Sequence, residues 1–293
     1  MTNKNDLTII IPCYNEEESI PNFFPDLIKV CNDNKWNIVA INDGSNDKTE
    51  QLLCQFNINE NFNVISHKVN IGYGGAVKTG ILNTSTDYCL TIDADGQHDA
   101  ADIDKLYKSI LKHDGDMVIG SRRKYRSVSS FRGIGKWIIR NFAKIFMKLD
   151  IYDINTGLRI FSTELGKKYI HLLPDKFPFC DIITLVFIHK KHLVYEEDIS
   201  VRKRKGGKST IGIHTAFDTI MEILNIAVLF NPMKLFLPIS FLFLIFGIIW
   251  AIYMLSLGKG VSVGSSLLIL VGLIIFLLGL IAEQLSKIRE NAR

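Results

Sequence analysis

The sequence predicts an α/β domain built on a mainly parallel sheet, followed by a hairpin of two membrane-spanning helices. Three observations carry that expectation. Apolar runs that read as strands alternate with helical stretches over residues 7–120, and runs apolar throughout mark strands covered on both faces. Polar clusters fall just beyond the ends of those runs, where open parallel sheets bind ligands. Finally, Leu235 to Leu257 and Val263 to Leu285 are almost wholly apolar. Each is long enough, at ~1.5 Å per residue, to cross a ~30 Å hydrocarbon core.

Composition narrows the class. Apolar residues fill 47% of 293 positions, an average that conceals a soluble part and a membrane part. The formal net charge is only +4, with the cations gathered between Arg122 and Lys208. Such clusters suit phosphate groups or an anionic bilayer and argue against a nucleic-acid partner. The five cysteines are odd in number and show no C-x-x-C spacing, so buried, reduced thiols are expected instead of disulfides or a zinc site. Residues 1–6 are polar and lead straight into a strand, with no cleavable signal expected.

In chain order, Leu7 to Ile11 reads as the first strand, stopped by Pro12, and a helix carrying Phe23, Phe24, Leu27, Ile28 and Val30 follows. Trp36 to Ile41 is a second strand ending at Asn42-Asp43-Gly44-Ser45. Asp47 to Phe56 is helical, and Phe62 to His67 is a third strand. Asn70 to Gly75 is a glycine-rich loop opening a helix through Leu82. Tyr88 to Ile92 is a strand ending at Asp93-Ala94-Asp95-Gly96-Gln97-His98. A helix around Ile103 to Leu111 and a strand from Asp116 to Gly120 complete the alternation.

The pair Asp93 and Asp95 suits Mg²⁺ or Mn²⁺, hard cations often held by one or two carboxylates plus substrate phosphates. An acidic turn is the plain alternative. Alternate positions of extended chain point the same way, which would add Gln97 to the metal-facing set. Gly72, Gly74 and Gly75 allow close approach of backbone to a nucleotide at a helix start, and Lys78, one turn on, reaches for a phosphate or is simply solvated. Four motifs converge on one sheet edge: Asn15-Glu16, Asn42-Asp43, Gly72 to Lys78 and Asp93 to Asp95.

Taken as an ordered set, Pro12-Cys13-Tyr14-Asn15-Glu16-Glu17, Asn42-Asp43-Gly44-Ser45, Gly72-Tyr73-Gly74-Gly75-Ala76 and Asp93-Ala94-Asp95-Gly96-Gln97-His98 resemble glycosyltransferase family 2. More narrowly they are similar to polyprenyl-phosphate glycosyltransferases related to dolichol-phosphate mannose synthase. The resemblance implies a Rossmann-like GT-A fold, a nucleotide-diphosphate sugar donor, a polyprenyl phosphate acceptor (undecaprenyl or dolichyl) and inversion at the anomeric carbon. It places base and ribose at Pro12, Tyr14 and Glu16, and the nucleobase at Asp43. It places the donor and its metal at Asp93, Ala94, Asp95 and Gln97, with Asp95 at the reacting end. Arg122 and Arg132 would bind the acceptor phosphate, Thr156 would lie opposite the sugar, and Asp181 would be an acid near the acceptor. A helix N-terminal acid is the other reading of Asp181. The family usually has Asp-Asp-Gly-Ser where this chain has Asn42-Asp43-Gly44-Ser45, which leaves the choice of base open.

Beyond Gly120 the sequence turns basic and amphipathic. Phe131 to Leu149 carries Ile134, Trp137, Ile138, Phe142 and Ile145 on one side and Lys136, Arg140, Lys144 and Lys148 on the other. That pattern fits a membrane interface or a core-packed helix with a solvated face. Arg202, Arg204 and Lys208 surround a Gly-Gly, as expected of a phosphate-seeking loop or of a solvated charge run. The expected organisation is a GT-A domain over 1–210 that includes helix 131–149, an interfacial helix over 211–232, and a hairpin with a tail over 233–293. Only Lys259 lies between the spans, so both termini are expected in the cytoplasm, at what is read as a bacterial cell membrane. Self-association through the spans is a further expectation. Two other classes remain open: a glycosyltransferase for another lipid or polysaccharide acceptor, and a non-catalytic sugar-nucleotide-binding protein.

Overall fold

The computed structural model describes residues 7–123, 151–154, 156–176, 179–200, 228 and 230–291. The chain divides into two compact units; the described residues of the first lie within 7–123 and 151–200, and those of the second within 228–291. The amphipathic stretches 131–149 and 211–227, Arg132, and the loop holding Arg202, Arg204 and Lys208 lie outside the described residues.

The first unit is a seven-stranded sheet in the order β3-β2-β1-β4-β6-β5-β7. Its strands are β1 (Leu7–Cys13), β2 (Asn37–Asn42), β3 (Phe62–Ser66), β4 (Tyr88–Thr91), β5 (Met117–Ser121), β6 (Arg159–Ser162) and β7 (Val194–Asp198). All pairings are parallel except those of β6, which runs antiparallel to both β4 and β5. The helices are α1 (Ile20–Asn34), α2 (Thr49–Phe56), α3 (Tyr73–Leu82), α4 (Ala100–His113), α5 (Thr163–Lys168) and α6 (Phe179–His189). The main core lies where α1 and α4 cover the sheet, with Phe24, Leu27, Ile103 and Leu106 against Ile9, Ile11, Leu90 and Ile160.

Pro12 does not end β1. It pairs in register with Ile41 of β2, and β1 runs on to Cys13. The reason is local: β4 is in register with β1 only as far as Ile10, so at Pro12 one flank has no ladder and the missing N–H is not needed. The helix read around Ile103 is longer than expected. Asp99 caps it by accepting from Ala101 N at 3.1 Å, and Asp114 closes it in the left-handed conformation. Strands β6 and β7 add to the expected alternation.

The second unit is an antiparallel pair, α7 (Pro232–Ser256) and α8 (Val263–Asn291). Both are long and apolar enough to cross a membrane. Gly272 packs against Leu244, and its carbonyl accepts from Ser240 Oγ at 2.8 Å. Small residues in this way bring the two backbones close. Ile245, Phe246, Ile249, Ile274 and Leu278 point outwards, an apolar surface that suits a bilayer and not water.

Candidate active site

The loops after β1 and β2 brace one another. Asn15 adopts a left-handed conformation, donates N–H to Ser45 Oγ and accepts from Asn46 N at 2.9 Å. Glu16 N–H goes to Thr49 Oγ1 at 2.8 Å, and the Glu16 carboxylate accepts from Ser19 Oγ. Burial pushes the Asp47 carboxyl up, but hydrogen bonds from Thr49 and the Glu17 backbone outweigh it and hold the group below its ordinary value. The Tyr14 ring, 44% exposed, is free to stack on a planar group.

Asp43 is buried and collects three donors. Ile71 N and Gly72 N reach it at 3.1 and 2.9 Å, and His67 Nδ1 at 2.7 Å; His67 Nε2 meets Thr79 Oγ1 at 2.9 Å. The carboxylate therefore fixes the glycine loop at the start of α3. Gly72 there has φ 105°, open to glycine but strained for other residues. The close approach expected of a nucleotide at this helix start is made instead by the chain itself. Asp175 O accepts from Gly75 N at 2.7 Å, and Cβ atoms at Gly72 and Gly74 would collide with the 174–175 backbone. Lys78, expected to reach a phosphate, pairs with Asp175 at 2.7 Å.

Asp93 and Asp95 follow β4 in a turn through Gly96, φ 68°, so the extended-chain alternation expected for Asp93, Asp95 and Gln97 does not hold. Asp93 accepts from Tyr73 OH at 3.1 Å and lies against Gly157, where any Cβ would overlap its carboxylate. Burial raises the Asp93 carboxyl, His98 opposes that shift and Asp95 reinforces it. Asp95 accepts from Gln97 N at 3.1 Å, and Ala94 is buried between the two acids. His98 is buried, which lowers its basicity against the pull of Asp93 and Asp95. A cleft of about 80 Å³ between α1 and this turn is lined by Glu18, Ser19, Asn22, Asp95 and His98.

On the β5–β6 side, Asp153 grips Arg122 as a fork, taking Nε at 2.7 Å and NH2 at 2.9 Å, and also accepts from the Arg122 backbone. That grip raises the guanidinium above its ordinary value. Glu196 of β7 in turn accepts from Tyr152 N and Asp153 N, each at 2.8 Å. Thr156, expected to face the sugar, is fully buried. Asp181 is buried in the first turn of α6. The sequence reading missed Tyr73, His98, Asp153, Arg159 and Glu196 as site residues. Tyr73 and His98 stood inside motifs already singled out and Asp153 and Arg159 each lay three residues from Thr156, whereas nothing local marked Glu196.

The open, mostly parallel sheet with its polar loops beyond the strand ends has the GT-A fold of nucleotide-sugar transferases. A family model described as Glycosyl transferase family 2 matches residues 8–171, and one described as GtrB C-terminal hairpin matches 231–288. This chain belongs to glycosyltransferase family 2. It is 30% identical to a dolichyl-phosphate beta-glucosyltransferase of Saccharomyces cerevisiae, over 71% of this chain and 70% of that one. It is 25% identical to an undecaprenyl-phosphate 4-deoxy-4-formamido-L-arabinose transferase of Photorhabdus laumondii, over 98% of this chain and 90% of that one. Among solved structures, a glucosyl-3-phosphoglycerate synthase from Mycobacterium tuberculosis with Mn²⁺, UDP and phosphoglyceric acid superposes with a TM-score of 0.57. At 17% identity over 74% of this chain and 78% of that one, this likeness shows the fold.

Proposed function

We propose that this protein transfers one sugar from a nucleotide-diphosphate donor to a polyprenyl phosphate at a membrane surface, with inversion. One observation carries the reading. The D-x-D edge and a hairpin of membrane-length helices occur in one chain, and a transferase named for an undecaprenyl phosphate acceptor matches that chain over 98% of its length.

Tyr14 would stack on the base, with Pro12, Glu16 and the Asp43-braced loop around the nucleoside. Asp93 and Asp95 would hold Mg²⁺ or Mn²⁺. They fit it, because Asp93 is an oxygen donor whose charge burial has left undercompensated. A bound cation would supply charge neutralisation at the leaving diphosphate. Arg122, turned by Asp153, would face the acceptor phosphate, and Arg132, Arg202, Arg204 and Lys208 would add to that grip. A phosphate is anionic at neutral pH, so it attacks without a strong general base. The chain's task is to hold two anions within reach of one another. Helices 131–149 and 211–232 would seat the 1–210 domain on the cytoplasmic face of a bacterial membrane.

Membranes bearing the protein, undecaprenyl phosphate, Mn²⁺ or Mg²⁺ and a panel of radiolabelled nucleotide sugars test this. Label should enter the lipid phase from one donor and be lost with Asp95→Ala. Tight metal-dependent nucleotide binding without transfer from any donor would overturn it.

A further inference from the structure

We propose that Arg159 is the positioning residue of this site, locking the 154–157 loop and the first turns of α6 onto the Asp93 carboxylate. The inference rests on the function proposed above for what is positioned, and on geometry for how.

Arg159 opens β6, in register with Thr91 of β4 and Ile119 of β5. Among the described residues it is the largest side chain with no solvent exposure. A buried guanidinium is costly unless its donors are met. Here NH1 and NH2 are met by three backbone carbonyls and one hydroxyl, while Nε is buried without a hydrogen-bond partner among the described residues. NH1 donates to Cys180 O and to Thr184 Oγ1 at 2.9 Å, both on α6, and NH2 donates to Ile154 O at 3.2 Å and to Thr156 O. One planar group thus ties together two segments from opposite sides of β6.

Both segments end on Asp93. Gly157, next to Thr156, has the Asp93 carboxylate where a side chain would stand, and its carbonyl accepts from Thr91 Oγ1 at 2.7 Å. On the other side, Cys180 Sγ lies 3.6 Å from Tyr73 OH, the hydroxyl that donates to Asp93. A lysine would keep the charge but cannot span four acceptors in one plane.

The test compares the full-length wild type with Arg159→Lys, Arg159→Met and Thr184→Val, which deletes one acceptor isosterically. Turnover and KM for donor and acceptor, thermal unfolding, and hydrogen exchange at Leu158 and Ile183–Leu185 are read together. Arg159→Lys should lower kcat at least tenfold with donor KM changed less than threefold, and should speed exchange at both segments. Thr184→Val should do the same more weakly, and Arg159→Met more strongly. A lowered melting temperature with kcat per folded molecule and exchange at both segments unchanged would overturn the proposal. If the wild type itself transfers no sugar, the functional reading fails on its own. Exchange then decides alone: faster exchange at both segments in Arg159→Lys supports the lock, and unchanged exchange overturns it.

Discussion

Cys54 differs from the other four cysteines in the property that governs thiol chemistry. It is exposed, whereas Cys13, Cys31, Cys89 and Cys180 are buried. Burial pushes the Cys13 and Cys31 thiols well up, Cys89 to about 12 and Cys180 to about 11. A thiol with a raised pKa stays protonated and poorly nucleophilic at pH 8. A thiol-disulfide reagent at that pH should therefore consume one fast equivalent in the native protein and five after denaturation; several fast equivalents in the native protein would contradict the packing. Gly157 gives a second prediction at this scale. A methyl there must displace Asp93, and a misplacement of about 1 Å at a reacting site costs on the order of 100-fold in rate. Gly157→Ala should lose about that much transfer while the unfolding temperature moves little. Asp93 and Asp95 stood out in the sequence because paired carboxylates after a strand end suit a metal and its phosphates, whereas Arg122 was singled out by the family resemblance. The Lys78–Asp175 pair was not legible, since its partners are 97 residues apart and nothing local announces the contact.

Elements were legible in proportion to how local their signals are. The parallel strands β1 to β5 are short apolar runs cut by turn residues, and their order in the chain implies crossover helices. β6 escaped because it has four residues and begins with an arginine. β7 escaped because Glu196, Glu197 and Asp198 make half of a strand look like loop. Two of those charges are committed elsewhere: Glu196 holds the Asp153 backbone, and Glu197 accepts from Ser109 Oγ at 2.9 Å and pairs with Lys105 at 3.6 Å. β7 thus supports the loop that aims Arg122. Asp153→Asn, which weakens a charge-assisted fork worth about 1.5–3 kcal/mol, should raise acceptor KM roughly tenfold and leave donor KM nearly unchanged. Glu196→Gln should shift the same constant in the same direction by less. A rise confined to donor KM would place this strand's influence on the wrong substrate.

At the scale of the whole molecule, the reaction demands that the sheet's C-terminal edge and the lipid phosphate lie on one side of the bilayer. The charge pattern predicts which side. Lys259 is the lone cation between α7 and α8, whereas Lys287 and Arg289 lie near the end of α8, Arg293 follows it, and nearly all remaining cations precede α7. Cations retained near the ends of spans mark the cytoplasmic face, so both ends of the hairpin should lie inside and residues 258–262 outside. Cys54 makes the prediction measurable without redesign, because it is the exposed thiol of the catalytic unit and lies far in sequence from the hairpin. A membrane-impermeant maleimide should spare Cys54 in intact cells and label it in inverted vesicles. Ser262→Cys, placed in the link on a Cys54→Ser background, should show the opposite pattern. Labelling of Cys54 from outside would invert the orientation, and with it the compartment from which the donor nucleotide is drawn. Labelling of both positions from the same side would instead show that the hairpin does not cross, leaving α7 and α8 to lie within one leaflet.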